Sequence, residues 1–341
     1  MNNKIKTAFI GCGVHATRDL FPLLSKIPAI SLVAVCDLDK TRSSKNAKRF
    51  GSKRYYTDYK RMVEKEKIDA AIIVGPPTMH FVVGAYFIER RIPIFLEKPI
   101  TTGLNSAKKL VTLGKKHSKF VQVGYFLRHA KANRLAKEII ESKEFGNPVS
   151  FYGTYFTNSP WEPRKAWGLD NLDWTYMLVQ GIHLIDLTRY FFGELVSVRA
   201  KKYTFKNNRF SFVVNATFQL GTIGILNLSN MTAKWHTALE IVGENGGIVN
   251  LKDVMRLSYE RASVPSKNKS NTSNINLQDS DNNSTKLKKI DFGYLSELEH
   301  FIESVINNHE PSPDLHDAYK SMLIAEAIIK SCELEKTIII K

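Results

Sequence analysis

Two hydrophobic periods alternate along the first 120 residues. Short apolar runs rich in β-branched residues, at 6–10, 31–36, 70–74, 94–96 and 120–123, read as buried strands. Between them, 20–25, 40–50, 59–66, 81–90 and 105–117 place apolar residues three and four apart and read as helices. Such alternation predicts a doubly wound parallel sheet with helices on its faces.

Past residue 126 the texture changes. A helix over 133–141 ends near Gly146, and long alternating runs at 149–156, 196–203, 210–218 and 223–229 predict an open, mainly antiparallel sheet. A helix over 174–192, stopped by Gly193, separates the first two runs. Helices over 294–307 and 314–334 lead to a last strand at 337–340. Residues 263–286 are rich in Asn, Ser, Lys and Asp with few large apolar groups; burial there cannot offset the entropy of ordering, which predicts a disordered loop. The reading is α/β, with a first domain over 1–124 and a second α/β domain over 125–341.

Composition adds exclusions. A chain of 341 residues, 43% of them apolar, can fill two cores. The opening apolar stretch is shorter than a secretory signal and no later one reaches membrane-spanning length, so a cytoplasmic location is expected. Cys12, Cys36 and Cys332 stand far apart and predict reduced thiols. His15, His80, His129, His183 and His236 form no ligand-spaced cluster, so no metal is expected. The formal charge of +16 is scattered over exposed helix faces and turns, the pattern of a solvated lysine-rich surface rather than a nucleic-acid groove. It also suits a phosphorylated or nucleotide-linked substrate.

The first motif follows the first strand. Gly11-Cys12-Gly13-Val14-His15-Ala16 is a G-x-G-x-x-A loop that opens a helix, where backbone amides can approach a pyrophosphate and small Ala16 lets the helix pack on the sheet. Asp37, at the end of the second strand, is placed to accept the adenosine ribose hydroxyls and disfavours a 2′-phosphate. That points to NAD, while Lys40 and Arg42 are placed to pair with the phosphate of NADP. A second motif, Glu97-Lys98-Pro99, emerges at the carboxyl edge of the sheet, where doubly wound folds bind ligands. A lysine beside a cationic nicotinamide is suited to exchange a proton with a reacting hydroxyl, and Glu97 is placed to hold it.

Six separated segments now coincide: the glycine loop, Asp37, Val74-Gly75-Pro76-Pro77-Thr78-Met79-His80, Glu97-Lys98-Pro99, Gln122-Val123-Gly124-Tyr125 and Gly181-Ile182-His183-Leu184-Ile185-Asp186. In this the chain resembles the glucose-fructose oxidoreductase and inositol dehydrogenase family, also called Gfo/Idh/MocA, over nearly its whole length. The resemblance implies an N-terminal Rossmann domain and a C-terminal domain whose open sheet often builds a homodimer or homotetramer. It implies that Pro76, Pro77, His80 and Gln122 line the cofactor cleft, and that Lys98 and His183 flank the carbinol carbon of a sugar or polyol. Arg128, Trp167, Tyr176 and Gln180 are weaker candidates for substrate contacts.

One position departs from the pattern. Many such dehydrogenases carry Asp or Asn four residues before the histidine; here Val179 stands there and cannot hydrogen-bond. Asp186 is placed either to orient His183 or to pair with Arg189. Two alternatives to a dehydrogenase follow: a glycosidase of the same family that recycles NAD, and a regulator that binds the dinucleotide without catalysis.

Overall fold

In the computed structural model, residues 4–117, 120–158, 160–261, 272–273 and 292–340 are described. The chain begins with β1 (Ile5–Ile10), a π turn (Ala16–Leu20) running into α1 (Phe21–Leu24), β2 (Ile30–Cys36), α2 (Lys40–Phe50), β3 (Tyr55–Tyr56) and α3 (Tyr59–Lys65). It continues through β4 (Ala70–Ile73), α4 (Pro77–Glu89), β5 (Ile94–Glu97), α5 (Leu104–His117) and β6 (Val121–Gly124). The strands form one sheet in the order β3-β2-β1-β4-β5-β6, all pairs parallel. This is the dinucleotide-fold order, with its switch point between β1 and β4. Local chemistry sets the helix limits. Asp39 caps α2 by accepting from the amides of Thr41 and Arg42, and Gly51, at φ 83°, ends it.

The second stretch holds α6 (Phe126–His129), α7 (Lys131–Ile140), β7 (Pro148–Phe156), α8 (Leu172–Tyr176), a π turn (Met177–Gly181), α9 (Ile182–Phe192), β8 (Leu195–Phe205), β9 (Arg209–Phe218) and β10 (Ile223–Ser229). After these come β11 (His236–Gly243), β12 (Ile248–Lys252), β13 (Arg256–Glu260), β14 (Thr272–Ser273), α10 (Tyr294–Asn307), α11 (Leu315–Leu334) and β15 (Ile338–Ile339). The sheet runs β14-β13-β12-β11-β7-β10-β9-β8-β15.

The second sheet is mainly antiparallel, as expected, with one parallel pair, β7 and β10, between which the helical segment α8–α9 and two further strands intervene. Strands β11, β12 and β13, which carry weaker alternation, extend it. The helix expected over 174–192 starts at Leu172 and is interrupted by the π turn. The loop expected over 263–286 lies outside the described residues, except that Thr272–Ser273 pairs with β13.

Two compact units result. One comprises 1–126, 166–168 and 294–320; the other comprises 127–165, 169–293 and 321–341. A break at 124/125 therefore omits a return of the chain, since α10 packs in the first unit. Its Leu298, Phe301 and Ile302 join Phe9, Phe21, Val35, Ile72 and Phe95 in one buried cluster. The rings of Phe9 and Phe21 stack at 3.8 Å, and Phe301 meets Phe95 at 6.1 Å. The second unit buries Phe151 against Phe192 and Phe218, and Phe210 and Phe212 against Tyr176.

Candidate active site

The glycine loop follows β1 with a backbone only glycine tolerates. Gly11 has φ +97°, and a Cβ there would lie 1.8 Å from the carbonyl oxygen of Val74 at the end of β4. Gly13 differs: a Cβ would meet nothing within 4 Å, so its backbone faces open space. Helix starts at Val14, and the first amides of a helix have no intrahelical acceptor. Open space above exposed amides at a helix start fits a pyrophosphate. Val14 is 77% exposed on that loop, whereas Ala16 is fully buried against the core.

Asp37 is held by its own neighbourhood. Oδ2 accepts from the Cys12 amide at 2.7 Å and Oδ1 from the Asp39 amide at 2.9 Å. A carboxylate offers about four lone-pair sites, so capacity remains for ribose hydroxyls. Arg42 pairs with Asp39 at 3.3 Å on the exposed face of α2. Cys12 and Cys36 are buried free thiols, each pushed up to about 12, chiefly by burial and then by the charge of Asp37.

The Glu-Lys-Pro turn is anchored from two sides. His80 on α4 is buried; its Nε2 accepts from the Gly75 amide at 2.9 Å, which leaves Nδ1–H to donate to the Pro99 carbonyl at 2.8 Å. Burial pushes His80 down to about 4, so it is a neutral strut between two loops. Both ring nitrogens are thus engaged with backbone, which leaves the imidazole no polar atom for the cofactor cleft in which it was expected. Pro76 caps α4 and Pro77 begins it.

Glu97 engages both the Lys98 backbone and the glycine loop. Its Oε2 accepts the Lys98 backbone amide at 2.9 Å, and its Oε1 lies 3.1 Å from Nε2 of His15. The other ring nitrogen of His15 lies 2.8 Å from Asp19, which the Arg18 guanidinium also contacts. Burial disfavours charge on Glu97, yet His15 and then Lys98 lower its pKa on balance. Gly124 makes the room, since a Cβ there would stand 2.9 Å from Glu97 Oε1. Gln122, expected at the cofactor, is buried and donates to the carbonyl of Glu297, securing α10. Lys98 itself is half-buried at the end of β5.

In the second unit His183, on α9, is 5% exposed and stacks on Tyr155 of β7 with ring centroids 5.6 Å apart. The Tyr155 hydroxyl donates to Gln180 Oε1 at 3.0 Å, and Trp235 meets the Tyr155 ring edge-on. Burial pushes the Tyr155 phenol up to about 12. Sequence reasoning missed Tyr155 and Trp235; the only signal for Tyr155 was its inward parity on an alternating strand.

Two candidates belong to the core instead. Tyr176 is fully buried between Trp161 and Phe210, on the packed side of α8. Arg128 forms a buried fork onto Asp186, with both contacts at 2.7 Å. Asp186 is thus engaged by Arg128, while the Arg189 guanidinium reaches Glu194 and Ser321. Trp167 sits half-buried on a short 3-10 turn in the first unit.

The parallel sheet, the glycine loop at its switch point and the fixed carboxylate at the end of β2 define a dinucleotide-binding protein of the doubly wound class. The chain belongs to the GFO_IDH_MocA oxidoreductase family: the NAD-binding Rossmann fold matches over residues 5–125 and the C-terminal alpha/beta domain over 137–340. It is an NAD-dependent oxidoreductase.

It is similar to the inositol 2-dehydrogenase of Rubrobacter xylanophilus, 25% identical across 97% of this chain and 91% of the relative. The scyllo-inositol 2-dehydrogenase (NAD(+)) of Bacillus subtilis is 26% identical across 91% and 89%. The structure of a levoglucosan dehydrogenase with NADH and levoglucosan superposes with a TM-score of 0.85 at 20% identity, covering 99% of this chain and all of the other, and shows the same fold. Among the described residues no helix is long and apolar enough to cross a membrane, and no group of three or more His, Cys, Asp or Glu is gathered to hold a metal.

Proposed function

We propose that the chain oxidises a secondary alcohol of a sugar, cyclitol or nucleotide-sugar, or reduces the matching ketone, with Lys98 as the proton-transfer residue. The observation that carries this reading is the position of Lys98. It leaves the carboxyl end of β5 in a turn fixed by Glu97 and His80, in the same sheet whose glycine loop offers its amides to a dinucleotide. When bound, NAD supplies the hydride acceptor or donor. Gly11, Gly13, Val14, His15 and Ala16 form the loop for the pyrophosphate, Asp37 holds the ribose, and Pro76 and Pro77 border the cleft. NAD is favoured over NADP because two backbone amides hold the Asp37 carboxylate where a 2′-phosphate would meet it, and Arg42 is engaged with Asp39.

Lys98 takes the hydroxyl proton during oxidation and returns it during reduction. His183 is the second proton-handling group, steadied by the Tyr155 ring, and Gln180 offers an amide to a substrate oxygen. The inositol dehydrogenase relatives support the substrate class.

Lys98→Met is expected to lower kcat by about 10²–10⁴, the range of a lost general base, while NAD affinity measured by fluorescence stays within a few-fold. Full turnover in that variant sinks the assignment. Hydrolysis of a glycoside without net NADH would identify the NAD-recycling alternative, and silence at 340 nm across a broad polyol panel would favour a non-catalytic binder.

The outer face of the second sheet supports a homodimer or homotetramer. Tyr152, Tyr203, Phe205, Val213 and Ile223 are exposed along it. Light scattering that gives the mass of a single chain at micromolar concentration would refute this.

A further inference from the structure

His15 occupies a position in the glycine loop where no charge is required, yet it stands between two carboxylates. Nδ1 is 2.8 Å from Asp19 and Nε2 is 3.1 Å from Glu97. Each ring nitrogen faces an anionic acceptor, so each must carry hydrogen; a neutral ring would turn one lone pair against a carboxylate. The ring is an imidazolium by geometry.

Its partners differ in setting. Asp19 already has Arg18, at 2.8 Å. Glu97 is buried, with a side chain 4% exposed, and it immediately precedes Lys98. A buried carboxylate next to a lysine holds the ammonium form and so opposes release of its proton. A cation on the far side of that carboxylate removes the effect.

We propose that His15 is a charge-neutralising positioning residue, cancelling the Glu97 carboxylate so that Lys98 can release its proton at working pH. This rests on the reading of Lys98 as the proton-transfer residue. The groups facing His15 from the surrounding elements are Asp19 and Arg18 on its own helix, Glu97 and Lys98 at the end of β5, His80 on α4 and Tyr294 at the start of α10. Burial works against the His15 cation, but Glu97 and Asp19 outweigh it and raise its pKa to about 9. Lys98 acts on both members of the pair, disfavouring the charge of His15 and favouring that of Glu97. The neutralised state thus prevails below about pH 9 and is lost as pH rises through that value.

Two measurements test this. In the cofactor-free protein, histidine NMR should show one imidazole titrating near pH 9, assigned by its loss in His15→Gln, and it should move toward the ordinary range in Glu97→Gln. In the pH profile of kcat for alcohol oxidation, His15→Gln should move the acid limb to higher pH by about one unit, the scale of an uncompensated neighbouring charge. The double variant with Glu97→Gln should bring the limb back, a recovery that a merely structural histidine would not show, and His15→Lys should restore it in part. A His15 titration near pH 6.5, or an acid limb unmoved in His15→Gln, overturns the proposal. If His15→Gln does not fold, Glu97→Gln and the wild-type titration still decide it. Should Lys98→Met keep full turnover, the parent reading has failed; should Lys98→Met be dead and the limb unmoved, only the role of His15 has.

Discussion

Polar residues at strand ends in the first unit and polar residues on helices in the second meet different fates. In the first unit, Asp37, Glu97 and the glycine loop lie at the carboxyl edge of a parallel sheet, where backbone geometry fixes them. In the second, Arg128, Tyr176 and Gln180 share helical surroundings with His183, yet Tyr176 and Arg128 are consumed by the interior. A strand end has one outlet. A helix has several faces, and packing decides which of them meets a ligand.

The sharpest way to break this contrast is at Gly11. Gly11→Ala sets a methyl against the Val74 carbonyl at a φ that side chains avoid, and should cost about 4 kcal/mol or more, removing NAD affinity with it. A calorimetric melt near that of wild type would show that backbone geometry does not rule the loop.

Asp186→Ala tests the second unit. It removes the carboxylate that faces the buried guanidinium of Arg128 and should cost about 3–5 kcal/mol, read from the urea midpoint. Adding Arg128→Met should recover much of the loss. If Asp186→Ala instead spared stability and raised KM for substrate, Arg128 would be returned to the pocket.

His80 gives the next effect. His80→Phe removes the partners of the Gly75 amide and the Pro99 carbonyl and should cost about 2–3 kcal/mol. Its titration also has a sign. The folded value of about 4 lies below the unfolded 6.5, so the unfolded chain binds the extra proton between them. The stability is present above pH 6.5 and is lost as pH falls through 4. Denaturant midpoints that are flat across that window in wild type would contradict a buried neutral ring.

How much was legible follows from the same contrast. The parallel sheet could be read nearly strand by strand, since hydrophobic period and glycine punctuation are local signals, and α2 and α10 fall where their spacing places them. The parallel pairing of β7 with β10 was hidden because alternation reveals a strand but not its neighbour. Gln122 and His80 sit in family-like segments, yet their amide and imidazole serve backbone groups on other elements, contacts between residues up to 175 positions apart. The pair of His15 with Glu97 was equally invisible, for 82 residues separate its members.

The return of α10 to the first sheet has a consequence in time. A nascent chain that has reached Phe126 holds all six parallel strands, but the surface around Phe9 and Phe95 waits for Leu298, Phe301 and Ile302. At ribosomal speeds the intervening segment takes roughly 10–30 s to make. For that interval the unfinished half exposes an oily flank, which makes it a natural client for chaperones and leaves a fragment ending near residue 125 prone to aggregate.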